Sequence, residues 1–215
     1  MKSFATVLGL ALSLSFGASA AMVTAIDSSS QAGNQQFSGS LGSDFTVTSP
    51  ITISALGAFV GSNNSPTGLS PAVTVSIYNT ATSALVASET VSGSANSTMG
   101  GFDLVNLPSA LNLSAGTYSV VVSGYGATQY DCNGGISGCT AAAMNTNGGL
   151  ISFGTSRYGA AGAFPTTVDA NLYEAGTFSF AATAVTSGVP EPASIGLLSL
   201  GLIGLGAIRL RKRAS

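Results

Sequence analysis

Apolar and polar residues alternate along much of the chain with a period of two, the pattern of strands that bury one face. The alternation is clearest over residues 73–78, 118–123 and 177–181. Shorter runs, each bounded by Gly, Pro, Asn or Ser, predict further strands at 45–48, 51–60, 85–91, 102–105, 111–113, 150–153 and 170–173. No long amphipathic helical pattern lies between residues 21 and 187. The sequence therefore predicts an all-β fold, an antiparallel β-sandwich or jelly roll.

Most of the first twenty residues are apolar, and they do not alternate with polar ones. Lys2 precedes an apolar stretch at 4–16, and the small residues Ala18 and Ala20 follow it. This order is typical of a secretory signal peptide, residues 1–20, with the signal peptidase site at Ala18 and Ala20. Cleavage after Ala21 and an uncleaved N-terminal anchor are the alternatives. The chain is therefore expected to be exported, with signal peptidase as a partner.

A second apolar run, uncharged from residue 193 to residue 208, lies near the C-terminus, and the segment 193–210 has 18 residues. A helix of that length spans about 27 Å, close to the hydrocarbon core of a bilayer. The basic residues that follow are expected to stay in the cytoplasm, because moving each across the membrane is costly. This cluster consists of Arg209, Arg211, Lys212 and Arg213. The sequence thus predicts one transmembrane helix at 193–210, held in the inner membrane, and a basic cytoplasmic tail at 209–213.

Pro190, Glu191 and Pro192 stand immediately before the apolar run. The two prolines fix their own φ, remove two amide donors and favour extended conformations at the preceding residues. We expect an extended peptide with one carboxylate at the membrane surface, which a membrane enzyme can read. The predicted organisation is a signal peptide at 1–20, an exported domain at 21–187 and a sorting segment at 188–215.

The tail resembles the PEP-CTERM sorting domain of Gram-negative bacterial proteins. Pro190, Glu191, Pro192, the Gly/Leu-rich run and the terminal basic cluster match in order and position. The resemblance implies that an exosortase, an integral-membrane cysteine peptidase, recognises the motif and cleaves at or beside it. It also implies transfer to the outer surface or extracellular matrix, often in bacteria that make exopolysaccharide and biofilm. An ordinary anchor that is never processed is the alternative.

The exported body is similar to the small β-sandwich ectodomains that often precede PEP-CTERM tails. The similarity rests on FTVTSPITISALGAFV from Phe45, VTVSIYN from Val73, LNLSAGTYSVVVSG from Leu111 and FPTTVDANLYEAGTFSF from Phe164. These blocks support the predicted fold, and they imply no particular activity.

Charge is scarce in the body, and it is mostly negative. Between residues 21 and 190 the only basic residue is Arg157, against seven acidic residues: Asp27, Asp44, Glu89, Asp103, Asp131, Asp169 and Glu174. Such a surface offers no basic patch for phosphates, which argues against nucleic acid as a partner.

The two cysteines, Cys132 and Cys139, lie in the glycine-rich segment DCNGGISGC. In an oxidising compartment two neighbouring cysteines predict a disulfide. A redox pair needs Cys-x-x-Cys spacing and a zinc site needs four ligands, whereas this chain has no histidine. Without histidine, Ser-His-Asp and Cys-His nucleophilic sites are also excluded. We therefore predict no cofactor and no metal.

Two rival functions remain. Asp103, Asp131, Asp169 and Glu174 are the only candidates for the carboxylate pair of a glycoside hydrolase, and none sits in a motif. Asp131 and Asn133 offer calcium two oxygen ligands, but a calcium loop needs several more. Tyr125, Tyr130 and Tyr158 fall in or near loops, where aromatic faces can stack on sugar rings of an exopolysaccharide. The leading prediction is a non-enzymatic surface or matrix protein; a carbohydrate-binding module is the alternative, and a hydrolase the third.

Overall fold

The computed structural model describes residues 21–28, 31–61, 69–93, 97–139 and 142–183. Within these ranges the chain forms thirteen strands, all in antiparallel pairs. They are β1 (Val23–Thr24), β2 (Ile26–Asp27), β3 (Ser40–Val47), β4 (Ile51–Phe59), β5 (Val73–Asn79), β6 (Ala84–Val91), β7 (Ser97–Met99), β8 (Phe102–Leu113), β9 (Gly116–Ser123), β10 (Ala143–Met144), β11 (Ile151–Gly159), β12 (Thr167–Asp169) and β13 (Gly176–Ala182).

Two large sheets account for most of these strands. One has five strands in the order β1-β13-β4-β8-β7, and the other has six in the order β12-β11-β3-β9-β5-β6. A short ladder of β10 and β2 lies beside them. Successive strands often change sheet, as β3, β4 and β5 do, so most neighbours within a sheet are distant in sequence.

The two large sheets pack face to face around an apolar core. Phe45 of β3 contacts Phe178 of β13 across the core, with ring centroids 4.7 Å apart. The sheets approach so closely at Gly176 that an added Cβ would lie 2.8 Å from a Val122 methyl group. Because each inward residue of one sheet is covered by the other, the alternating pattern of the sequence becomes a β-sandwich.

Most strands predicted from alternation are present. Residues 73–78, 118–123 and 177–181 fall within β5, β9 and β13, and the predicted strands at 45–48, 51–60, 85–91 and 150–153 overlap β3, β4, β6 and β11. The runs at 102–105 and 111–113 belong to one strand, β8, whose register with β4 shifts between Ile53 and Ala55. The all-β fold with antiparallel sheets is confirmed.

The strand predicted at 170–173 was wrong. These residues follow β12 and form only an isolated bridge between Tyr173 and Asn133. Side chains satisfy the backbone of Tyr173 instead: its amide donates to Ser156 Oγ at 3.0 Å, and its carbonyl accepts from Ser43 Oγ. Both serines point into the sandwich from β11 and β3, so inward hydroxyls replace a strand partner here.

In the part of the chain that is described, residues 21–183 form one compact unit. In the described ranges no helix has the length and hydropathy that a membrane crossing requires. The predicted signal peptide at 1–20 and the predicted span at 193–210 lie outside those ranges.

Candidate functional site

The residues predicted to carry sorting lie outside the described part of the chain. They are Ala18 and Ala20 of the signal peptidase site, Pro190, Glu191 and Pro192 of the motif, and the basic residues Arg209, Arg211, Lys212 and Arg213. The other predicted site residues, two cysteines, four carboxylates and three tyrosines, all lie in the β-sandwich.

Cys132 and Cys139 are joined by a disulfide, with their Cα atoms 5.7 Å apart. Both cysteines are buried, and Asn34 holds the loop between them. Its Nδ2 atom donates to the carbonyl of Asn133 at 2.9 Å and to two further loop carbonyls, while its Oδ1 atom accepts from the Asn133 amide at 2.8 Å. One side chain thus replaces the backbone pairing that a short, glycine-rich loop lacks.

Glu174 lies against the disulfide and is fully buried. Its Oε2 atom accepts from Ser28 Oγ at 2.6 Å, and its Oε1 atom accepts from the amide of Ala142. Oε2 also lies 3.2 Å from the Cys132 sulfur, which has no proton to donate within a disulfide. Burial raises the pKa of Glu174, opposed by the donors Ser28 and Ala142.

Asp131 is the most unusual polar residue of the sandwich. Its side chain is fully buried, and neither carboxylate oxygen has a hydrogen-bond partner in the described structure. Burial raises the pKa of Asp131 to about 7. The backbone amides of Asp131 itself and of Phe37 oppose this rise, although neither meets the geometry of a hydrogen bond. Near neutral pH this carboxyl group therefore titrates inside the protein.

The four carboxylates considered for hydrolysis do not share an open cleft. Asp131 and Glu174 are shut off from solvent, and Asp103 on β8 is also buried. Asp169 closes a turn: it accepts from the Asn171 amide at 3.0 Å and from Tyr173 Oη at 2.8 Å. These two donors, the Asn171 amide first, lower the pKa of Asp169.

Asp131 and Asn133 do not form a shared ligand set. The amide side chain of Asn133 donates to Gln35 Oε1 at 2.9 Å and accepts from the Gly135 amide at 2.9 Å. Among the described residues, the one close group of metal-ligating types is Cys132, Cys139 and Glu174, whose cysteines are already oxidised to a disulfide.

The three predicted sugar-binding tyrosines do not converge on one surface. Tyr125 is buried, and its hydroxyl donates to the carbonyls of Phe59 and Ala175, each at 3.1 Å. The expectation that Tyr125 presents an aromatic face to a ligand is corrected by this burial. Tyr130 is half-buried, whereas Tyr158 is 37 % exposed and packs edge-on against Phe37 and Tyr173.

A surface that the sequence did not indicate lies on the outer face of the six-stranded sheet. Residues 160–165, which we call the strap, belong to the connection from β11 to β12 and lie on this face. Phe164 lies between Tyr78, with ring centroids 5.4 Å apart, and the Arg157 guanidinium, 5.3 Å from its ring. The Gly162 amide donates to Ser123 Oγ at 2.8 Å. These contacts hold the strap on the sheet.

Between the strap and the edge strand β6 lies a pocket of about 300 Å³. Its polar lining consists of five hydroxyl side chains and one phenol: Ser40, Thr74, Ser76, Ser88, Ser123 and Tyr78. In sequence, Thr74, Ser76 and Tyr78 were visible only as the polar half of an alternating strand. Their assembly into a pocket depends on Ser40, Ser123 and the strap, which are distant along the chain.

Comparison with known protein families assigns the tail. A family described as the PEP-CTERM protein-sorting motif matches residues 188–213. The chain carries a PEP-CTERM sorting signal. The match includes Pro190, Glu191, Pro192 and all four basic residues of the predicted cytoplasmic cluster. A search of curated proteins finds no match to the chain.

The PEP-CTERM signal confirms the resemblance seen in the sequence, and it marks the protein as exported and dependent on exosortase-type machinery. Residues 183–187 are all that separate the end of β13 from the matched segment. The PEP-CTERM match does not extend into the β-sandwich, so the function of the body has to be argued from its own residues.

Proposed function

We propose that the protein is a non-enzymatic component of the outer surface or extracellular matrix. In this proposal signal peptidase cleaves after Ala20, and residues 193–210 hold the exported chain in the inner membrane. An exosortase-like peptidase then cleaves at or beside Pro190, Glu191 and Pro192 and releases the β-sandwich to the exterior. The PEP-CTERM match at 188–213 is the observation that carries this route.

The properties of the β-sandwich support a structural role for the released body. The described carboxylates whose pKa is raised, Asp131 and Glu174, are buried where no substrate reaches them. The body carries a single arginine against seven acidic residues, and Arg157 is paired with Asp44 at 2.8 Å. A weakly charged domain with an internal disulfide suits a matrix associated with exopolysaccharide in a biofilm.

The proposed route depends on the motif, so the motif is the place to test it. We expect the triple substitution Pro190→Ala, Glu191→Gln and Pro192→Ala to stop processing in the native host. The full-length chain would then accumulate in the inner membrane, because the peptidase has lost both the extended backbone and the charge that it reads. Mass spectrometry of intact protein from membrane and extracellular fractions measures the outcome.

The matched control is Ser187→Ala, one position before the matched segment. It changes a neighbouring residue without altering the motif, and we expect normal processing. Normal processing of the triple variant would overturn motif-dependent cleavage. Normal processing and release of the protein in a host strain that lacks the exosortase would overturn the proposal that this peptidase cleaves it.

A further inference from the structure

The pocket beside the strap is lined by groups that suit a sugar. We propose that it binds one neutral pyranose unit of a polysaccharide. Its volume of about 300 Å³ lies at the lower end of the range for small-molecule sites. This inference goes beyond sorting, because it concerns a ligand of the body and does not depend on how the tail is processed.

The hydroxyl groups of the pocket provide the hydrogen bonds. A hydroxyl both donates and accepts, as do the hydroxyls of a sugar, so a serine-rich and threonine-rich lining can match either role. Ser76 and Ser88 face each other from adjacent strands with their Oγ atoms 3.0 Å apart. Thr74 precedes them on the same face and is exposed to the opening.

Ser40 supplies a second observation that points to a ligand. It lines the pocket, is fully buried, and has no hydrogen-bond partner for its Oγ atom in the described structure. A buried hydroxyl without a partner is destabilising. Because Ser40 is fully buried, a ligand hydroxyl reaches its Oγ atom only when the lining shifts, and it would then provide the missing partner.

Apolar groups complete the lining. Tyr78 and Leu85 lie on one side of the pocket, and Val121 forms part of its floor. Val120 and Val122 belong to the core cluster, so Val121 between them points to the outer face of the sheet. Val121 is nevertheless buried on that face. Sugar rings bind through hydrogen bonds at their rims and apolar contact at their C–H faces, and this pocket offers both.

Charge favours a neutral sugar over a uronic acid or sulfated unit. The pocket has no charged lining residue, and the nearby arginine, Arg157, is engaged by Asp44 and Phe164. The acidic excess of the body also repels polyanions over the distance that salt does not screen. An acidic polymer would therefore gain no ion pair and lose Coulomb energy.

Affinity gel electrophoresis of the full chain tests the proposal. The protein is purified in a detergent without a sugar headgroup, such as lauryldimethylamine oxide. Native gels contain dextran, galactomannan or xyloglucan as neutral polymers, and polygalacturonate as the acidic one. We expect retardation in at least one neutral polymer and none in polygalacturonate.

Two variants locate the binding. Ser88→Ile places a bulky side chain in the pocket from an exposed strand position and is expected to abolish retardation. Thr74→Val removes one hydroxyl at almost constant volume, and is expected to weaken binding about tenfold because a sugar hydroxyl loses its partner. Ser152→Ile is the matched control, since Ser152 is an exposed residue of β11 on the outer face of the same sheet and does not line the pocket.

Near-ultraviolet circular dichroism verifies that each variant is folded. If Ser88→Ile does not fold, Thr74→Val decides. The proposal is overturned by no retardation in all three neutral polymers, by retention in polygalacturonate alone, or by pocket variants that bind like wild type. Equal loss in Ser152→Ile would also overturn it, because the binding surface would then lie elsewhere. Failure here leaves processing at the PEP-CTERM motif unaffected, so the two proposals fail separately.

Discussion

Asp131 shows how one residue changes meaning between sequence and structure. In the sequence it is one of seven carboxylates in a polar body, next to a cysteine in a glycine-rich segment. In the structure its carboxylate is buried without a hydrogen-bond partner, and its backbone pairs with Gln35 in an isolated bridge. Nothing local in the sequence indicates this burial, since it depends on contacts between residues almost a hundred positions apart.

The pH dependence of stability follows from the pKa of Asp131. The pKa of this carboxyl group is raised on folding to about 7, so the protonated form stabilises the fold. This contribution to the free energy of unfolding is complete below about pH 4 and is lost as the pH rises above 7. Asp131→Asn mimics the protonated form at every pH. We expect it to raise the free energy of unfolding at pH 8 by on the order of a few kcal/mol, with little difference at pH 4. Urea denaturation at both pH values measures this.

Asp169→Asn is the control for Asp131→Asn, because the pKa of Asp169 is lowered by the Asn171 amide and the Tyr173 hydroxyl. The ionised form of Asp169 therefore stabilises the fold above the pKa of the unfolded chain, and this contribution is lost as the pH falls. The pH dependence is opposite to that from Asp131. Asp169→Asn should therefore destabilise at pH 8 rather than stabilise. The assignment of a raised pKa to Asp131 would be contradicted if the difference in free energy of unfolding between Asp131→Asn and wild type were the same at pH 4 and pH 8.

At the scale of elements, periodicity predicted the strands whose inward residues are apolar. It did not predict the full lengths of β3 and β11, because their inward positions include Ser43 and Ser156. These serines bind the backbone of Tyr173, which is why 170–173 does not form a strand although its composition suggested one. Short-range patterns record burial of apolar groups, whereas hydroxyls that satisfy distant backbone groups leave no periodic signal.

The disulfide loop is an element fixed by a side chain from elsewhere. Asn34 forms four hydrogen bonds with the segment between Cys132 and Cys139. We expect Asn34→Ala to speed hydrogen exchange at the Asn133 amide by about tenfold or more, and to speed reduction of the disulfide under native conditions, since local opening becomes easier. Exchange measured by mass spectrometry and thiol labelling after mild reductant report the two effects.

The control for Asn34→Ala is Asn145→Ala. Asn145 is an exposed residue that caps its own turn by accepting from the Asn147 amide at 2.9 Å. The substitution Asn145→Ala removes the same kind of side chain without affecting the disulfide loop, so the rate of disulfide reduction should be unchanged. If Asn34→Ala left both exchange and reduction at the wild-type rate, the disulfide loop would be held by other contacts.

At the scale of the whole molecule, basic and acidic residues lie in different parts of the chain. Four of its six basic residues lie within 209–213, while the β-sandwich carries most of the acidic ones. The PEP-CTERM match was predictable from sequence, because its proline, apolar and basic parts are contiguous. The sugar pocket was not, since its residues come from β3, β5, β6, β9 and the strap.

This charge separation makes a prediction about topology. If the basic cluster keeps the C-terminus in the cytoplasm, replacing Arg209, Arg211, Lys212 and Arg213 by Asn removes the barrier to translocation. With a Cys introduced by Ser215→Cys, a membrane-impermeant maleimide should label wild type only after the inner membrane is permeabilised, and the neutral variant before. The processing-deficient motif variant supplies the background, so that an uncleaved tail is present in both chains.

Equal protection of wild-type and neutral tails would show that the apolar run alone sets the topology. Labelling of the wild-type tail in intact cells would mean that it is exported with the β-sandwich, which would place the PEP-CTERM motif beyond the reach of a peptidase that acts at the inner membrane.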